Sequence, residues 1–110
     1  MPSKYKPSIV QTTCECYLCH ADYRNGLDHH HCISGRGLKK LADEDALWIW
    51  LCRECHSLIH DKGEAHGVTE DRIKAIGESA YLNARMREGY PKEAAEELFL
   101  RRYGRHYLYE

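Results

Sequence analysis

No run of apolar residues in this sequence approaches the ~18 that a bilayer-spanning helix needs, which excludes a helical membrane anchor on hydropathy. Residues 1–11 lack the apolar core of a secretory leader, so the chain is expected to stay in the cytoplasm. An excess of either charge is missing too. With 16 Lys and Arg against 17 Asp and Glu, the net charge of −1 excludes a strongly basic nucleic-acid coat protein. There is no internal repeat and no low-complexity tract. A chain of 110 residues makes one domain, or a small domain with an extension, and buries proportionally little surface. Metal staples or self-association are the usual remedies at this size.

Cysteine and histidine are what the sequence does have, with six of one and eight of the other. Without an export signal, six cysteines point to thiolate ligands in a reducing compartment and not to three disulfides. The charge is unevenly spread: residues 1–40 carry six Lys and Arg against three acids, and residues 41–71 carry two against eight. Low net charge leaves nucleic-acid binding open, because a few placed cations and a bound divalent ion can supply the local field. Any such binding should be modest and salt-sensitive.

Three segments follow along the chain. Residues 1–13, polar and with two prolines, read as a flexible N-terminal arm. Residues 14–66 hold the motifs. Asn25-Gly26 has turn chemistry and leads into a strand over 27–33. Leu47-Trp-Ile-Trp-Leu51 reads as a second strand, and residues 53–61 as a helix stopped by Gly63. Residues 67–110 form a helical C-terminal extension. Thr69 with Glu70 and Asp71 starts one helix, whose inward face is expected at Ile73, Ile76, Ala80 and Ala84. Pro91 opens another, with Ala94, Ala95, Leu98 and Phe99 inward, ending near Gly104.

Two Cys-x-x-Cys pairs, Cys16/Cys19 and Cys52/Cys55, supply four thiolates, which fill a tetrahedral Zn²⁺ and leave no open position. Such a zinc is structural; it clips both ends of the intervening hairpin and can decide whether a small domain folds. Cys14 reads as a spare thiol and Cys32 as a small packing residue. His56 and His60, four apart on the helix after the second pair, project from one face. Asp28 and His29 lie on the first strand, where neighbours point to opposite faces, so a bulge or bend is needed for both to serve one site. A carboxylate and imidazoles around one divalent ion, with a further imidazole poised over a water, suit phosphodiester hydrolysis.

Asp28-His-His-His-Cys-Ile-Ser-Gly-Arg-Gly37 is similar to the Asp-His-x-x-Pro-(hydrophobic)-Ser-x-Gly-Gly signature of HNH endonucleases. Leu51-Cys-Arg-Glu-Cys-His-Ser-Leu-Ile-His60 resembles their closing Leu-Cys-x-x-Cys-His-x-x-x-His. The resemblance covers residues 16–60 and implies an α+β fold: a small zinc-stapled ββα-metal finger, here followed by the helical extension. It implies a DNA endonuclease with Asp28 as metal ligand, His29 as general base, His56 as second ligand and His60 as third ligand or phosphate contact. The catalytic ion implied is Mg²⁺, Mn²⁺, Ni²⁺ or Zn²⁺, beside the structural zinc. Compact forms of this kind resemble those of bacteriophages.

The sequence departs from the signature twice. Cys32 stands where the family has Pro. The middle Asn would fall near Leu47, yet no Asn lies between Asn25 and Asn83, which leaves Asp43 and Asp45 as candidates for its role. Strict strand alternation would instead pair His29 with His31 and set His30 beside Asp28. His60 could equally cap its helix through the dipole. Arg36, Lys39 and Lys40 are the candidate DNA contacts, with a solvated loop as the plain alternative. Tyr103, Tyr107 and Tyr109 read as a stacking platform or a dimer contact. The competing function is a non-catalytic zinc module that binds nucleic acid or protein; a Cys-x-x-Cys redox protein is a third reading. A nuclease this compact is expected to take DNA as partner, with a second copy or an accessory protein supplying specificity.

Overall fold

The structure is a computed structural model and describes residues 6–22 and 26–108. Two short strands, β1 (Leu27–His31) and β2 (Trp48–Cys52), pair antiparallel with Leu27 opposite Cys52 and His31 opposite Trp48. A seven-residue helix, α1 (Leu38–Glu44), lies in the connection between them. The chain then passes without a gap from β2 into α2 (Arg53–Lys62). Cys52 is the N-cap of α2, its Sγ accepting from the Cys55 N–H at 3.4 Å, and Gly63 ends the helix in the left-handed region at φ 77°. A two-residue hairpin, β3 (Glu64–Ala65) with β4 (Val68–Thr69), turns the chain into α3 (Glu70–Arg87), and α4 (Lys92–Tyr103) follows. The architecture is a small α+β one, with two small antiparallel sheets and four helices among the described residues. No described helix is long and apolar enough to cross a membrane.

Ile49 and Leu51 on β2 are fully buried and face the same side as Asp28 and His30 of β1, because directly opposed residues in a ladder share a face. Ile59 of α2 closes over that side. The core is continuous with the helical half, where Ile73, Tyr81, Leu82, Ala95, Phe99 and Tyr103 are buried. Gly77 is what lets α3 approach: a Cβ at this position would stand 2.8 Å from the Cys32 Cβ. Cys32 is therefore the small packing residue expected from the sequence, and burial pushes its thiol up to about 12.

Three expectations change. Over its described part, the stretch read as a loose arm is seated along the edge of β2 that β1 leaves open. Ile9 N–H donates to Ala46 O at 3.1 Å, Trp50 N–H to Gln11 Oε1 at 2.8 Å, and the Trp48 indole to Lys6 O at 2.8 Å. Residues 1–5, Asn25 of the expected turn and Tyr109 lie outside the described residues. On α3 the buried residues are Ile73, Gly77, Glu78, Tyr81 and Leu82, so the inward face is rotated from the one expected, with Ile76, Ala80 and Ala84 only partly covered. Tyr103 is no surface platform but a core residue, stacked on Phe99 with ring centroids 4.6 Å apart and donating to Asp45 Oδ2 at 2.7 Å.

Glu78 is fully buried and its charge is matched by donors from one downstream segment. His106 Nδ1 lies 2.7 Å from Oε2, while the backbone N–H groups of Tyr107 and Leu108 donate to Oε1 at 2.5 and 3.2 Å. A buried carboxylate is tolerated only with such partners.

Candidate metal centre and cleft

Cys16, Cys19, Cys52 and Cys55 come together, with one Sγ from each within 4.8 Å of the others. The loop before β1 presents Cys16 and Cys19 through a tight turn. Cys16 N–H donates to Ala21 O, His20 N–H donates back to Cys16 O, and His20 takes the left-handed conformation at φ 63°. The Cys19 and Cys52 sulfurs are 3.7 Å apart, against roughly 3.8 Å for two corners of a tetrahedron with 2.3 Å Zn–S bonds. All four cysteines are free thiols, so the donor set and its spacing fit a structural zinc. Burial raises the Cys16 thiol, but backbone N–H groups of Cys52, Cys19 and Leu18 outweigh it and bring the group down to about 7. Cys55 is pushed up by burial and by the three neighbouring sulfurs. The exposed Cys14 takes no part in the cluster.

The second group of donors is built by β1 and α2. His30, His56 and His60 each bring a ring nitrogen within 4.8 Å of the other two. His56 and His60 stand one helical turn apart, with Nε2 to Nε2 at 3.0 Å, close to the roughly 3.3 Å between nitrogens sharing a tetrahedral ion at 2.0–2.1 Å. Asp28 does not join them as a donor to the same point. Its Oδ2 meets the far nitrogen of His56, Nδ1, at 3.0 Å, which places the His56 proton on Nδ1 and turns the Nε2 lone pair toward His60. This is the carboxylate–histidine arrangement that commonly stands behind a metal-bound imidazole. Burial, and then the nearby His56 and His60, lower His30 to about 4, so it is held as the neutral imidazole that metals require. The three histidines fit a divalent ion with room for further ligands.

The ladder of β1 runs without a bulge, so Asp28 and His29 point to opposite faces. His30 is the histidine on the side of Asp28. His29 lies against Trp48 with ring centroids 4.5 Å apart and meets His31 edge to face at 4.9 Å. His31 Nε2 is 2.8 Å from Asp43 Oδ1, while Asp45 is committed to Arg102 and Tyr103. One cleft of about 260 Å³ draws on both faces of β1, lined by His29, His30, His31, Ser34, Lys39, His56 and His60. Lys39 reaches it from α1, whereas Arg36 and Lys40 are exposed and do not line it. His30, His31 and Asp43 thus join the site beyond the residues that the motifs indicate, Asp43 being one of the two candidates for the role of the absent Asn. Alternation from Asp28 was the signal for His30. No family model, no curated protein and no solved structure matches the chain.

Proposed function

We propose that this chain is a divalent-metal-dependent endonuclease of the HNH type, hydrolysing DNA phosphodiester bonds in the cleft beside β1. The observation that supports it most is the convergence of His30, His56 and His60 on one cleft with a separate imidazole–carboxylate pair, His31–Asp43. The resemblance of residues 16–60 to the HNH signature points the same way. His30, His56 and His60 would hold the ion, with Asp28 orienting His56 from behind instead of ligating. The all-imidazole donor set favours Mn²⁺, Ni²⁺ or Zn²⁺ over the Mg²⁺ that an Asp28 ligand would have suited, and such an ion would offset the charge on the scissile phosphate and the leaving oxygen.

We assign the general base, expected at His29, to His31 instead, two residues further along the same face of the strand. With Nε2–H donating a hydrogen bond to the Asp43 carboxylate, Nδ1 is left as the basic nitrogen and the ring is fixed, the usual division of labour between a base and its orienting carboxylate. His29, held between Trp48 and His31, limits the swing of that ring. Lys39 is the cation placed to meet a phosphate in the cleft. The zinc on the four cysteines fixes the β2–α2 junction from which His56 and His60 project. A cleft this small reads little sequence, so specificity comes from a second copy or an accessory protein.

The test is nicking of supercoiled plasmid with Mn²⁺ or Ni²⁺. Wild type should nick; His56→Ala and His31→Ala should each lose about 10²–10⁴-fold in rate. Equal nicking by all three proteins would mean a contaminant. No nicking by correctly folded, metal-loaded wild type would leave a zinc-stapled binding module.

A further inference from the structure

The face of β1 turned away from His30 carries donors of its own. His29 and His31, two residues apart on the strand, and Asp43, near the end of α1, each bring one donor atom within 4.8 Å of the other two. His31 and Asp43 are already in contact at 2.8 Å. The His29 ring is packed against Trp48, which is 5% exposed, so this imidazole is held in place without any ion. His29 and His31 are partly exposed and line the cleft, so the group is open to solvent.

We propose that His29, His31 and Asp43 form a second divalent-cation site, across the cleft from His30, His56 and His60, that takes a borderline transition ion such as Zn²⁺, Co²⁺ or Ni²⁺. The donor set decides the class of ion. Two imidazoles and one carboxylate suit these metals, whereas Mg²⁺ and Ca²⁺ favour shells made entirely of oxygen. Three protein ligands leave at least one position to water. Two of the ligands are spaced i, i+2 on a regular strand and the third comes from the helix that the β1–β2 connection folds back, so the site needs no rearrangement of the backbone.

A regulatory consequence rests on the nuclease reading given above. An imidazole with a metal on one nitrogen carries its proton on the other, so a filled site leaves His31 no lone pair for water. Excess Zn²⁺ should then inhibit hydrolysis supported by Mn²⁺, and Asp43→Asn should blunt that inhibition in whatever activity it retains.

Equilibrium dialysis against Co²⁺, with the cysteine zinc in place and bound metal counted by elemental analysis, tests the site without reference to activity. Wild type should take up two Co²⁺ beyond the zinc. Asp43→Asn and His29→Gln should each keep one, His60→Gln should keep one, and His29→Gln combined with His60→Gln should keep none. A wild type that takes up a single Co²⁺, lost in His60→Gln, overturns the proposal, as do Asp43→Asn and His29→Gln proteins that still bind two. Two Co²⁺ bound without plasmid nicking would sink the nuclease reading alone. Nicking with one Co²⁺ bound would sink the second site alone.

Discussion

Asp28 Oδ2 and His56 Nδ1 meet at 3.0 Å, a strand carboxylate reaching the imidazole of a helix 28 residues further along. The contact fixes which nitrogen of His56 faces His60 and His30. A ligand's orienting partner typically contributes 10–100-fold to metal affinity. Asp28→Ala is therefore expected to weaken Co²⁺ binding at the histidine trio by about that factor, while His56→Ala abolishes it. Titration calorimetry would measure both. An Asp28→Ala protein with unchanged affinity would show that the carboxylate has no part in metal binding.

The four cysteines join the loop before β1 to the start of α2, and two of them flank the point where strand becomes helix. Wild type should carry one tightly held zinc per chain, resistant to a mild chelator that strips the histidines. Cys16→Ser should lose that zinc and with it the fixed near-ultraviolet dichroism of the two tryptophans, because structural zinc binding is coupled to folding. Zinc content near zero in well-folded wild type would refute the cage.

Gly77 and Cys32 are in contact without spare volume, a Cβ on the glycine falling 2.8 Å from the cysteine Cβ. Both neighbours of that contact are backbone-anchored, so neither can swing away. Gly77→Ala should destabilise by about 1–3 kcal/mol, the usual cost of overpacking, despite alanine being the better helix former. Urea denaturation measures it, and a Gly77→Ala protein as stable as wild type would show that α3 sits further from β1 than described.

Tyr103 gives an alkaline prediction. Burial, with the Asp45 carboxylate it donates to, raises its pKa above the ordinary 10. A group whose pKa is raised by folding stabilises fully below its unfolded value and loses that contribution as pH climbs beyond it. Stability should therefore fall as pH rises above about 10, and Tyr103→Phe should flatten that limb. At neutral pH the same variant should cost about 1.5–3 kcal/mol, the usual worth of a hydrogen bond to a carboxylate, with Asp45 keeping Arg102. An unchanged alkaline limb would place the titrating group elsewhere.

The helix boundaries were legible because local chemistry writes them. Cys52 and Thr69 each accept a backbone N–H as N-caps, and Gly63 and Gly104 supply the left-handed stops. The cysteine cluster was legible because its spacing carries the geometry. The β3–β4 hairpin was not, since two-residue strands show no period; its turn at His66 and Gly67, with φ 52° and 78°, left only a glycine as a trace. Three successive histidines masked which one joins His56 and His60. Any of them supplies the same imidazole, and only the unbroken pairing of β1 with β2 selects His30. Glu78 had no local sign at all, its partners lying 28 to 30 residues away.

That remoteness sets an order of events during synthesis. The amides of Tyr107 and Leu108 are made well after α3 itself, at roughly 5–20 residues per second on the ribosome. Until they arrive, Glu78 lacks the donors that its burial requires, so the helical half closes later than the segment from Cys16 to Cys55. A purified chain truncated a few residues short of Tyr107 should accordingly be cut by protease within α3 and spared between Cys16 and Cys55.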